Sequence, residues 1–128
     1  MRLITGGAFQ GKLDYAQNIL HIDDKAVVDG LICSWEELLK AKAVNHFHRW
    51  IDRMLWEEQD VKELVEQLIT ANPGIVILVD ELGCGIVPME AHDRNYREVT
   101  GRICCQLAAA AEEVHRVICG IGTVIKHA

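Results

Sequence analysis

The nine residues TGGAFQGKL, from Thr5 to Leu13, decide how this 128-residue sequence is interpreted. They match the phosphate-binding pattern G-x-x-x-x-G-K-[ST] at Gly6 and Gly11-Lys12, but Leu13 stands where the pattern has a magnesium-binding hydroxyl. In such a loop, backbone amides and a helix N-terminus converge on an anion, and the lysine neutralises charge on the outer phosphates. The stretch is therefore interpreted either as a phosphate site or as a simple glycine turn before a helix.

The residues on either side favour the phosphate site. Residues 2–5 read as a short strand that runs directly into the glycines. Residues 12–20 have helical apolar spacing, with apolar side chains at Leu13, Ala16, Ile19 and Leu20. The order strand, glycine loop, helix is the one that a phosphate loop requires.

The following segments predict alternating strands and helices. The run KAVVDG predicts a second strand that ends at Asp29, and Ser34 with Glu37 forms a capping box that predicts a helix start. An apolar stripe from Val44 to Leu55 predicts that helix, interrupted or not, to continue to about Trp56. Asp60 is predicted to cap a further helix, which the turn at 72–74 ends.

The C-terminal half predicts the most clearly buried strand. Residues 75–81 (IVILVDE) are apolar and β-branched before their acids, as in a strand covered on both faces of a parallel sheet. A glycine-rich turn (LGCGIVP), a long helix over about 93–113 and one or two short strands complete the pattern. Strands that alternate with helices indicate an α/β three-layer fold with a mostly parallel sheet, built as one domain over residues 1–128.

Composition limits the classes of partner. The net charge of −6 disfavours nonspecific binding to nucleic acid or to an anionic membrane. Neither a signal peptide nor an aliphatic run long enough to cross a bilayer is present, so a cytoplasmic protein is expected. Five cysteines without a C-x-x-C pair indicate reduced thiols rather than a disulfide framework or a zinc site.

Two acids compete for the position beside a bound magnesium ion. Asp80 ends the stronger strand and is followed by Glu81, an arrangement typical of a metal-binding acid with a neighbouring base. Asp29 ends a weaker strand and is equally well explained as a turn residue before Gly30. Strand spacing alone favours Asp80.

Histidines and arginines supply the remaining candidates. On a helical wheel His48 flanks the apolar stripe and His46 faces away from it, which disfavours a shared metal and favours boundary positions for both. Arg94 and Arg97 are i, i+3 neighbours that predict an anion clamp, unless they belong to a solvated helix face with Glu98 as counter-charge.

From Ile75 onward the sequence resembles a known family. The segments ELGCGIVP (81–88), REVTGR (97–102) and the alanine-rich stretch after them, together with the opening TGGA-x-x-GK, resemble the adenosylcobinamide kinase/adenosylcobinamide-phosphate guanylyltransferase family of cobalamin biosynthesis. The resemblance covers the two ends of the chain, in order. It implies a P-loop NTPase-like fold, a nucleotide cofactor (GTP or ATP) with Mg²⁺, a corrinoid substrate and a homo-oligomer.

The resemblance also assigns residues. It implies that VVDGL is the Walker-B segment, so that Asp29, rather than Asp80, is the magnesium-side and catalytic acid, with Lys12 as the catalytic lysine. Glu81, Arg94 and Arg97 are then expected at the substrate end of the site. The implied nucleotide-binding residues are Gly6, Gly7, Ala8, Gly11, Lys12 and Leu13.

The middle of the chain departs from the family pattern. Full-length members are several dozen residues longer, and the shortening falls between the first helix and Ile75, where the family carries its guanylylated histidine. The leading hypothesis is therefore a nucleotide-dependent kinase that phosphorylates adenosylcobinamide, and the shortened middle argues against guanylyltransferase activity. The alternative is a noncatalytic module that binds nucleotide or corrinoid, which the shortened middle and Leu13 motivate.

Overall fold

A six-stranded sheet with helices on both faces forms the framework of the protein, seen in a computed structural model that describes residues 1–82 and 90–127. All but the first residue of the predicted turn LGCGIVP lie outside the described residues. The strands are β1 (Arg2–Gly6), β2 (Val27–Asp29), β3 (Ala43–Asn45), β4 (Val76–Asp80), β5 (Glu113–Ile118) and β6 (Ile121–Lys126). The helices are α1 (Lys12–Leu20), α2 (Trp35–Lys40), α3 (Phe47–Trp56), α4 (Val61–Ala71) and α5 (Ala91–Ala110).

The sheet confirms the predicted α/β architecture. Its strand order is β2-β3-β4-β1-β5-β6, with parallel pairing from β2 through β5 and an antiparallel β6 at the edge. Because β1 lies between β4 and β5, the glycine loop follows a central strand. The carboxyl ends of the parallel strands meet at one edge of the sheet, where α/β proteins place ligands.

Alternating side chains of the central strands face two separate cores. Leu3 and Ile77 pack with α2, α3, α4 and α5 in the larger cluster, whereas Ile4 and Leu78 pack with α1 in a smaller one. All four side chains are almost completely buried. Strands covered on both faces in this way explain the continuous apolar run of β4.

Several predicted element boundaries are confirmed at their caps. Ser34 and Glu37 form the predicted capping box at the start of α2. Asp60 accepts the backbone N–H of Glu63 at the start of α4, and α1 covers the predicted residues. Each cap satisfies helix amides that would otherwise lack a partner.

The helix predicted to continue to about Trp56, interrupted or not, is interrupted by a strand that the sequence did not predict. Ala41 leaves the helical conformation, and β3 intervenes before α3 begins at Phe47. Val44 is fully buried in β3, where it pairs with Val28 and Ile77 on the neighbouring strands. Its spacing to the apolar residues of α3 imitates one helical stripe, although the sheet and not a helix buries it.

The end of the long helix also differs from the prediction. Helix α5 ends at Ala110, short of the predicted end near residue 113, and β5 begins at Glu113. The final segments form two antiparallel strands joined at Cys119-Gly120. Among the described residues, no helix is long and apolar enough to cross a membrane.

Shortening a buried side chain of β4 tests the central position of this strand. We expect Ile77→Ala to lower the free energy of unfolding by about 2–5 kcal/mol, because it leaves a cavity in the larger core. The matched change Ile125→Ala, at an exposed position of β6, is expected to alter stability by less than about 1 kcal/mol. Equal losses in urea titrations of the two variants would contradict this assignment of the core.

Candidate functional site

The glycine loop lies at the carboxyl end of β1 and borders an open cavity of about 450 Å³. This phosphate-loop cavity is lined by the loop, by the first turn of α1 and by residues at or just after the ends of β2, β3 and β4. The lining residues outside the loop and α1 are Leu31, Asn45, His46, His48, Arg49 and Asp80. The topology therefore brings the ends of three strands to the N-terminus of α1.

Backbone geometry explains the glycines of the loop. A Cβ atom at Gly6 would collide with the carbonyl oxygen of Val117 on β5. Gly11 caps α1 in a left-handed conformation (φ 83°), which a glycine adopts without strain. Phe9 has a left-handed backbone conformation (φ 59°), which is strained for a residue with a side chain, and its ring is fully exposed to solvent.

Gln10 ties the loop to the turn between β5 and β6. Its side-chain Oε1 accepts the backbone N–H of Cys119 at 2.7 Å, and its carbonyl oxygen accepts the N–H of Gly120 at 2.7 Å. The shape of the loop is thus fixed by a segment more than a hundred residues away in sequence.

Lys12 points into the site from the first turn of α1. Its side chain is only 7% exposed, and its Nζ lies 2.6 Å from Oδ1 of Asp80 while donating to the carbonyl oxygen of Gly7 at 2.8 Å. A buried ammonium requires an opposite charge and further hydrogen bonds, and these two partners supply them. The acid that contacts the loop lysine is therefore Asp80.

His48 holds Asp80 from the other side. The backbone N–H of Asp80 donates to Nδ1 of His48 at 3.1 Å, which fixes that nitrogen as the unprotonated one, and Nε2 lies 3.4 Å from Oδ2 of the carboxylate. Burial lowers the pKa of His48 to about 4, and the nearby Asp80 only partly offsets this effect. His48 is therefore neutral at pH 7.

His46 occupies a different environment from the one that the helical wheel predicted. It precedes α3 in a left-handed conformation (φ 55°), so the two histidines are not on one helix and their rings lie 5.9 Å apart. Nδ1 of His46 lies 3.1 Å from Oδ1 of Asp29, which also accepts the N–H of Leu31. The prediction that the two histidines lie on different faces of one helix is wrong, because His46 precedes α3 and only His48 lies within it.

Comparison with known proteins identifies relatives. The family model described as CobU, cobinamide kinase / cobinamide phosphate guanyltransferase, matches residues 21–125, which is more than half of the chain. The chain belongs to this family. The match begins after α1, so the assignment of the glycine loop rests on its own pattern and geometry.

Two relatives of this cobinamide kinase family member are similar over part of their length. The bifunctional adenosylcobalamin biosynthesis protein CobU of Escherichia coli (strain K12) is 45% identical over 73 residues, which are 54% of this chain and 40% of that protein. The protein of the same name from Salmonella typhimurium is 46% identical over 69 residues, 54% of this chain and 38% of that protein. The matched region thus spans about two fifths of the length of these relatives.

Of the predicted substrate residues of this family member, Glu81 follows β4 and the two arginines lie on α5. Both carboxylate oxygens of Glu81 accept from Arg116, at 2.9 and 3.1 Å. Arg94 and Arg97 lie on the first turns of α5, and neither is among the described residues that line the phosphate-loop cavity. Their contact with substrate stays a prediction.

The side chains of the site do not by themselves fit a resident magnesium ion. Leu13 offers no oxygen ligand and instead packs against the smaller core. Within residues 1–82 and 90–127, no group of three or more His, Cys, Asp or Glu side chains is placed to hold a metal. Asp29, the predicted magnesium-side acid, is not among the described residues that line the cavity.

Sequence patterns did not place the residues around the start of α3 beside the glycine loop, although they named two histidines there as candidates. Asn45, His46, His48 and Arg49 come together because β3 ends beside β4 and α3 begins there. The one signal that could have revealed them is the polar run NHFHR directly after the short apolar run AV. The helical spacing of Val44 with residues of α3 concealed it.

The low pKa of His48 predicts a loss of stability in acid. A histidine whose pKa is lower in the folded than in the unfolded state stabilises the protein above pH 6.5, and this contribution is lost as the pH falls toward 4. We expect wild-type stability to fall by on the order of 2 kcal/mol more than that of His48→Gln across this window. Urea unfolding at several pH values measures the difference. The control His127→Gln should follow the wild type, and identical pH profiles for all three proteins would contradict the prediction.

Proposed function

We propose that this protein is a nucleotide-dependent kinase of cobalamin biosynthesis that phosphorylates adenosylcobinamide. The observation that carries the proposal is the buried Lys12 at the N-terminus of α1, facing a cavity bordered by the glycine loop. Family membership supports the substrate class, since the family description names cobinamide kinase and guanyltransferase activities. GTP or ATP is the proposed donor.

The proposed role of the loop is to hold the phosphates of the nucleotide. Lys12 would exchange its present contacts with Asp80 and Gly7 for the outer phosphate oxygens, and the loop amides with the N-terminus of α1 would bind the remaining charge. Phosphoryl transfer depends chiefly on positioning and electrostatic stabilisation, which these groups provide. The hydroxyl oxygen of the acceptor attacks the terminal phosphorus while the bond to the bridging oxygen breaks.

The proposal includes residues at the acceptor end and a state of assembly. Glu81, Arg94 and Arg97 are proposed to face the corrinoid, and Asp29 is proposed as the acid on the magnesium side. A homo-oligomer in the cytoplasm completes the proposal. Light scattering of the purified protein measures its oligomeric state.

A noncatalytic nucleotide- or corrinoid-binding module is the second candidate. Leu13 favours it, because this side chain supplies no ligand for the metal ion that accompanies a nucleotide. Binding of nucleotide in calorimetry, without any phosphorylated corrinoid detected by mass spectrometry, would support the module and reject the kinase.

Removal of the loop lysine tests the phosphate site. We expect Lys12→Ala to weaken nucleotide binding at least tenfold and to abolish phosphorylation of adenosylcobinamide, because the ammonium is buried beside the loop, where it would meet the phosphate charge. Isothermal titration calorimetry with GTP and ATP measures the affinity. Lys62→Ala, at an exposed position of α4, is the matched control and should bind as the wild type does. Unchanged binding by Lys12→Ala would reject the phosphate site.

A pair of isosteric substitutions separates the two acids. The family resemblance favours Asp29 as the catalytic acid, whereas contact with Lys12 favours Asp80. If Asp29 acts beside the metal, Asp29→Asn should lower kcat at least tenfold in the presence of Mg²⁺ while Asp80→Asn has the smaller effect. The reverse order would assign the role to Asp80, and equal small effects would exclude both acids.

A further inference from the structure

Arg49 lines the phosphate-loop cavity from the first turn of α3. The residue is exposed, and within residues 1–82 and 90–127 its guanidinium forms neither a hydrogen bond nor an ion pair. Arg53, one turn later on the same helix, instead donates to the backbone carbonyl oxygens of Gly30 and Cys33. Arg53 therefore has a structural contact, whereas the donors of Arg49 are available to a ligand in the cavity.

The other charged side chains of the cavity supply little net positive charge for a bound polyphosphate. The ammonium of Lys12 lies 2.6 Å from Oδ1 of Asp80, so the charge of this pair is balanced, and the neighbouring His48 is neutral at pH 7. Asp14, in the first turn of α1, also lines the cavity and adds a negative charge. The N-terminus of a helix contributes only about half an elementary charge. Among the described lining residues, Arg49 is the lysine or arginine whose charge no carboxylate balances.

The position of Arg49 corresponds to the outer end of a bound phosphate chain. In the phosphate-binding pattern, the loop lysine reaches the outer phosphates. From Lys12 the contacts run through Asp80 to His48, which is the residue next to Arg49 in the sequence. Arg49 is close enough that its charge, in addition to burial, lowers the pKa of His48. The cavity lining thus continues from the lysine toward α3, where phosphate oxygens beyond Lys12 would meet Arg49.

We propose that Arg49 binds the terminal phosphate of the nucleoside triphosphate, an inference that rests on the proposed phosphate site at the glycine loop. A guanidinium is planar, stays charged near neutral pH and pairs its parallel N–H donors with two phosphate oxygens. This contact is made with a triphosphate and lost with a diphosphate, so Arg49 makes the cavity selective for the phosphoryl donor over the nucleotide product. The same guanidinium stabilises the negative charge on the transferred phosphoryl group.

Isothermal titration calorimetry of the full chain tests this role with GTP against GDP and ATP against ADP, at fixed ionic strength and Mg²⁺ concentration. We expect Arg49→Ala to weaken triphosphate binding by about tenfold or more, the value of a charge-assisted hydrogen bond, and diphosphate binding by less than about threefold. Arg49→Lys keeps the charge without the paired donors and should recover part of the loss. Arg102→Ala, at an exposed position of α5 paired with Glu98, is the matched control and should bind both nucleotides as the wild type does.

The calorimetry distinguishes a failure of this role from a failure of the phosphate site. Equal weakening of triphosphate and diphosphate binding by Arg49→Ala, or no weakening of either while Lys12→Ala loses both, would overturn the role of Arg49 and leave the phosphate site intact. If the wild type binds neither nucleotide, or Lys12→Ala binds as the wild type does, the phosphate site is rejected and the role of Arg49 with it. Thermal unfolding confirms that Arg49→Ala is folded, and Arg49→Gln provides a second neutral variant for the same comparison.

Discussion

The ion pair between Lys12 and Asp80 is the contact on which the geometry of the site depends. It joins the first turn of α1 to the end of β4, and both charges lie largely out of solvent, at 7% and 18% exposure. Removing either partner would leave the other as an unpaired charge in a poorly hydrated place, which is strongly unfavourable. Because β4 lies next to β1 in the sheet, the pair also holds the end of the glycine loop near the strand from which the loop begins.

His48, on the first turn of α3, extends this pair into a network. Its ring takes the backbone N–H of Asp80 at one nitrogen and faces the carboxylate with the other, and it is itself buried. The neutral form suits this position, because burial disfavours the charged imidazolium. The network thereby links α1, β4 and the start of α3 at one edge of the sheet.

The sequence predicted the elements whose signals are local and strong. Apolar continuity identified β4, and the Ser34 and Asp60 caps marked the starts of α2 and α4. Strand β3 was missed because three residues carry too little periodicity to outweigh a helical pattern on both sides. Because β3 was missed, the residues that follow it, His46 and His48, could not be placed beside the loop.

Family membership and local geometry describe different parts of the chain. The family match begins at residue 21, whereas the loop that would hold phosphate lies before it. Strand pairing joins the loop segment to the matched region, since β1 pairs with β4 and β5. Leu13 remains the departure with the clearest chemical meaning, because it alters the metal ligands without altering the backbone of α1.

The hydrogen bonds of Gln10 with Cys119 and Gly120 show that the conformation of this loop does not depend on its local sequence alone. A pattern search scores nine neighbouring residues, but the closed form of the loop also requires a hairpin from the opposite end of the chain. A fragment that retained every residue of the motif but lacked that hairpin would match the phosphate-binding pattern without holding the loop conformation. The shape of the loop therefore depends on the β5–β6 turn as well as on the motif.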